Sequence, residues 1–187
     1  MTQAAFVYFA TELVDCDDRV ATALREALSA SGHLNGPAHS ELMVSKRVVV
    51  VEINARFHNA KVSPLVRECC GVSTIAAAAD ACLLDSTNWE RLPSQPTLRK
   101  AGKLVHLVCA VSGVLQHLDE TALNTLDALE TKLALEIYEN FATPGAPLKP
   151  TIDIKTDAGF VLLCGDHDKV QADYDAIQQL QPNLFQI

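Results

Sequence analysis

The sequence predicts an α+β protein built from an antiparallel hairpin with helices and a small β-rich tail domain. Three observations support this. Two short apolar runs, residues 38–44 and 47–53, are joined only by Ser45-Lys46, which favours a tight antiparallel reversal. Helix signals with capping residues flank that pair on both sides. A stretch at 86–98 containing Pro93 and Pro96 reads as a linker between residues 1–85 and residues 99–187, where strand patterns resume and a helix closes the chain.

Taken in order, residues 4–14 are apolar and read as a strand or an ordered loop. Asp17 and Asp18 offer N-caps for a helix whose Val20, Leu24, Ala27 and Leu28 share one face, and Gly32 ends it. The hairpin follows. Four consecutive valines, Val48 to Val51, predict that its second strand is buried on both faces. Residues 54–62 form a polar loop. Pro64 suits the first turn of a short helix closed by Gly71, and Ser73 caps an alanine-rich helix over 74–84. Beyond the linker, residues 103–111 and 133–138 read as strands and 120–126 as a helix. Residues 151–155 and 160–164 read as a hairpin, and a last helix is expected over 166–180, stopped by Pro182.

Bulk properties narrow the function classes. The chain has 187 residues, 49% hydrophobic and 20% charged, which is enough apolar material for a core. A net charge of −8 gives no electrostatic case for a nucleic-acid partner. No apolar run approaches the ~20 residues a membrane helix needs. The N-terminus lacks a basic region followed by an apolar one, so no signal peptide is expected and the location reads as cytoplasmic. Cys16, Cys69, Cys70, Cys82, Cys109 and Cys164 form no Cys-x-x-Cys pair and read as buried reduced thiols. With no His/Cys pair at ligand spacing, zinc is not expected.

The chemistry-bearing stretch is the hairpin. Side chains alternate along a strand, so Glu52, Asn54 and Arg56 point the same way, and the reversal brings Glu41 alongside Glu52. Two carboxylates and an amide oxygen are hard ligands suited to magnesium on a nucleotide triphosphate. Arg56 is a planar bidentate donor suited to a phosphoryl or acyl-phosphate oxygen. His39 shares the face of Glu41, and His58 and Asn59 follow on the loop. That shared face places His39 to contact substrate. Solvent-facing acidic residues on an edge hairpin are the plain alternative for the two glutamates.

The run Gly-Pro-Ala-His-Ser-Glu over 36–41, followed by Glu52-Ile-Asn54-Ala-Arg56-Phe-His58, resembles the C-terminal portion of the ATP-grasp superfamily. The likeness is greatest to carboxylate–amine (L-amino-acid) ligases of the carnosine synthase type. It is more distant to biotin carboxylase and carbamoyl phosphate synthetase. The resemblance implies that residues 1–85 form the C-terminal lobe of the ATP-grasp fold and residues 99–187 the ligase tail. It implies magnesium (or manganese) with ATP on Glu41, Glu52 and Asn54, Arg56 as the catalytic residue on the transferring phosphate, and a substrate-binding role for His58 and Asn59. The implied activity is ATP-dependent amide formation through an acyl phosphate, with small carboxylate and amine substrates. Family members also carry an N-terminal lobe with phosphate-binding lysines, and nothing like it precedes Phe6. The chain is therefore expected to be incomplete alone, working with that lobe or self-associating. A non-catalytic interaction or structural module derived from such an enzyme is the alternative.

Overall fold

The computed structural model describes residues 10–33, 35–59, 61–83, 93 and 95–187. Two compact units emerge, residues 14–99 and residues 100–187, the latter joined by residues 10–13.

In the first unit, helix α1 spans Asp18–Ala30. The Asp17 carboxylate accepts from the Arg19 backbone N–H at its start, and Gly32, at φ 73°, follows its end. Val20, Ala23, Leu24, Ala27 and Leu28 are half-buried while Arg25, Glu26 and Ser29 are exposed, the one-sided pattern expected of a helix lying on a sheet. That sheet is the hairpin of β2, His39–Val44, and β3, Val48–Asn54. Ser45 N–H donates to the Arg47 carbonyl at 2.9 Å and closes the turn.

The hairpin register decides the site. Cα partners run His39 with Asn54, Ser40 with Ile53 and Glu41 with Glu52, then shift to Leu42 with Val50. Val51 is thus an extra residue, a bulge that lets two faces of different character form. Ser40, Leu42, Ile53, Val50 and Val48 are half-buried on the face that meets α1. The opposite face, bearing His39, Glu41 and Met43 opposite Asn54, Glu52 and Val49, is largely open. Met43, Val49 and Val51 are 68%, 54% and 57% exposed. The valine run is therefore not buried on both faces. A two-stranded hairpin with a helix on one side leaves its other side uncovered.

Two helices complete this unit. Helix α2 spans Val62–Cys70, buries Leu65 and Cys69, and ends at Gly71 with φ 74°. Helix α3 spans Thr74–Cys82, with the Ser73 hydroxyl accepting from Ala76 N–H at 3.2 Å. Most of the expected linker, and residues 4–9 of the first expected strand, lie outside the described residues.

In the second unit, four antiparallel strands form a sheet in the order β1-β4-β9-β7. They are β1, Ala10–Glu12; β4, Ala101–Leu107; β7, Lys132–Ile137; and β9, Gly159–Gly165. Because β1 pairs with β4, the first strand belongs with the C-terminal unit rather than with the hairpin, which corrects the assignment of residues 1–85 to one lobe. The short pairs β5, Gly113–Val114, with β8, Pro147–Leu148, and β6, His117–Leu118, with β10, Phe185–Gln186, frame the core. Helices α4, Glu120–Asp127, and α5, Glu139–Ala142, lie between strands, and α6, His167–Leu180, packs on β4 and β9. Val105, Leu107, Val161, Leu163, Ile177 and Leu184 anchor the core. Residues 151–155 are not a strand. Ile152 and Asp153 N–H donate to the Thr156 hydroxyl, and Lys155 N–H donates to the Asp153 carboxylate. Side chains have taken the donors a ladder would need.

Candidate functional site

The paired positions His39/Asn54 and Glu41/Glu52 set four polar side chains on the open face of the hairpin. A ring nitrogen of His39 and one carboxylate oxygen from each of Glu41 and Glu52 all lie within 4.8 Å of one another. Asn54 Nδ2 donates to Glu52 Oε1 at 2.7 Å, which steadies that carboxylate and leaves the amide oxygen for another partner. Neither glutamate has an ion pair among the described residues. Two carboxylates directly across a ladder repel each other, a repulsion that a bound cation would relieve. Oxygen donors on one face fit a divalent ion carried by phosphate.

Arg56 stands just past the end of β3. Its Nη1 donates to the carbonyls of Phe57 at 2.9 Å and His58 at 3.3 Å, bracing the loop and leaving Nε and Nη2 for an oxyanion. The His58 ring meets the His39 ring edge-on, with centroids 4.5 Å apart. Its pKa is lowered, first by lost hydration, then by the neighbouring His39 and Arg56, against an opposing pull from Glu41. Asn59 Oδ1 accepts from the backbone N–H groups of Lys61 and Val62 at 2.9 and 3.3 Å, so its oxygen starts α2.

Beside this loop lies a pocket of about 300 Å³. His58 and Asn59 form its rim, and Phe57, Val62, Val66, Val72, Ala77 and Ala81 much of its wall. Ser63 and Thr74, whose hydroxyls share a hydrogen bond of 3.1 Å, add polar edges. Sequence reasoning named the rim and missed the wall. Val62/Val66 and Ala77/Ala81 each recur at four-residue spacing, but such spacing looks the same in a filled core.

His39, Glu41, Glu52 and Asn54 are thus together, with His58 against His39. The expected buried thiols divide: Cys69 and Cys109 are buried, Cys70 and Cys164 are half-buried, and Cys16 and Cys82 are exposed.

No family model matches this chain, and no curated protein does. Solved structures do. The L-amino acid ligase from Bacillus licheniformis matches with a TM-score of 0.76 at 18% identity, over 100% of this chain and 46% of that one. Phosphoribosylglycinamide synthetase from Anaerococcus prevotii matches at 0.72 and 16%, over 96% and 45%. The chain has the fold of the C-terminal portion of the ATP-grasp ligases. N5-carboxyaminoimidazole ribonucleotide synthetase from Thermus thermophilus shares that ATP-grasp fold at a TM-score of 0.57 and 16% identity, over 92% and 42%. The chain spans less than half the length of each of these proteins.

Proposed function

We propose that this chain supplies the metal- and phosphate-handling half of an ATP-dependent carboxylate–amine ligase. One observation carries the reading: Glu41, Glu52 and Asn54 converge on the open face of an ATP-grasp hairpin. Magnesium, when bound there, would offset the charge of the triphosphate. Glu41 and Glu52 would hold that ion through carboxylate oxygens, and Asn54 would add its amide oxygen while its Nδ2 keeps Glu52 in place. Met43 and Val49, exposed on the same face, offer an apolar surface for the nucleotide.

The acid substrate enters the pocket, its carboxylate toward Arg56 and the hairpin. A carboxylate oxygen attacks the γ-phosphorus and ADP leaves, giving an acyl phosphate. The amine nitrogen then attacks the carbonyl carbon, phosphate departs, and the nitrogen loses a proton as the amide forms. Arg56 Nε and Nη2 stabilise the charge on the transferring phosphoryl group. His58, whose pKa burial and nearby charge lower, lines the acid's path.

The test is 31P NMR of magnesium-ATP titrated with the chain. Broadening of the β and γ resonances, weakened in Arg56→Ala, is the expected result. Spectra unchanged by the chain would favour a non-catalytic module.

A further inference from the structure

We propose that His39 is itself a metal ligand, joining Glu41 and Glu52, and that its nitrogen turns the site toward divalent transition ions, the borderline Co2+ more than the harder Mn2+, at the expense of Mg2+. The inference rests on the metal site proposed above and goes beyond it, since the sequence reading places His39 on substrate.

Geometry supports it first. Ligands on one octahedral ion with bonds of about 2.1 Å lie about 3 Å apart when adjacent and about 4.2 Å apart when opposite. The His39 nitrogen and the two carboxylate oxygens fall within 4.8 Å of each other, so small side-chain rotations bring them onto one ion. The ladder explains why. His39 and Glu41 are two apart on β2, and their partners Asn54 and Glu52 are two apart on β3, so all four side chains leave the same face.

The second observation is independent of the carboxylates. His39 Nδ1 is shielded from solvent and has no hydrogen-bond partner among the described residues. A shielded polar nitrogen without a partner is unfavourable, and such groups are found paired or on a metal. The His58 ring packs edge-on against His39 and fixes its plane, which limits how the imidazole can turn toward water.

The ligand set then sets the preference. Imidazole favours borderline transition ions, whereas carboxylate, amide and water oxygens suit magnesium and manganese. One nitrogen among oxygens therefore raises affinity for Co2+ most, with Mn2+ at the foot of the order in which divalent transition-ion affinities rise.

The experiment uses the full chain with Mn2+ and Co2+ alone, without nucleotide. Pulsed electron paramagnetic resonance of the Mn2+ complex is expected to show modulation from a directly bound 14N. That modulation should vanish in His39→Ala and persist in His58→Ala. By calorimetry, His39→Ala should weaken Co2+ binding by about tenfold or more, since loss of even an outer partner costs about 10–100-fold. Mg2+ binding should change less than about threefold. A Mn2+ complex that depends on Glu52 but shows no nitrogen modulation would overturn the role of His39 and leave the metal site standing. Modulation that survives His39→Ala would also overturn it. No Mn2+ or Co2+ binding at all would overturn both readings. The wild-type spectrum decides the matter even if His39→Ala fails to fold.

Discussion

Replacing Glu52 by glutamine should weaken metal binding and yet leave the metal-free hairpin as stable as before, or more so. The Glu41 and Glu52 donor oxygens lie within 4.8 Å of each other and have no ion-pair partner among the described residues. Two unit charges at that separation repel by about 0.9 kcal/mol in bulk water and about 3.5 kcal/mol at an effective dielectric constant of about 20. Both residues are exposed, so the lower figure governs, less some screening by salt. Glutamine keeps an oxygen to accept from Asn54 Nδ2, so the one hydrogen bond at Glu52 Oε1 survives. In chelator, Glu52→Gln should therefore match wild type or exceed it by about 0.5–0.9 kcal/mol. In a metal ion at tenfold its Kd, wild type should gain about 1.4 kcal/mol and the variant little. The order of stabilities reverses when metal is added. Native-state hydrogen exchange of the β2 and β3 amides measures this in the unit that holds the site. A variant more than about 1 kcal/mol less stable than wild type in chelator would make Glu52 a structural group and rule out net repulsion between the two carboxylates.

Four further outcomes follow from the second unit and the thiols. Gly159 sits at φ 151°, where an added Cβ would come 2.1 Å from the Glu136 carbonyl oxygen, so Gly159→Ala should lose about 2–4 kcal/mol in urea unfolding. Asp173 Oδ2 accepts from both the backbone N–H and the hydroxyl of Thr131, at 2.7 and 2.6 Å, so Asp173→Ala should cost about 2–3 kcal/mol by the same measure. Burial raises the Cys109 thiol above its ordinary 9.0, whereas Cys16 and Cys82 are exposed. Iodoacetamide followed by mass spectrometry should modify Cys16 and Cys82 first and Cys109 only on unfolding. The same shift means that the folded chain holds this proton more tightly, so its contribution to stability is present below pH 9.0 and fades above it, which Cys109→Ala should abolish.

The hairpin and its polar face were legible because alternation, a two-residue turn and paired acids are local signals. Asp17, Ser73 and Gly71 marked helix ends for the same reason. What the sequence hid was long-range. Nothing in Val48 to Val51 says how many layers cover a strand, so a run fit for a sandwiched strand lies in a hairpin covered on one side. The bulge at Val51 follows from a register that only pairing reveals. The pairing of Ala10–Glu12 with β4 joins segments some ninety residues apart, and the loop at 151–156 arises from competition by Thr156 and Asp153 that reads as strand by composition. In the candidate site, the shared face of Glu41, Glu52 and Asn54 was readable from strand alternation and the short turn. The His39–His58 ring contact was not, because it depends on how the loop returns along the hairpin.

The most direct measurement of the central claim is calorimetry of magnesium-ATP with the chain, wild type against Glu52→Gln. Binding in the wild type and its loss in the variant is the expected result. Equal heats from the two proteins would contradict it.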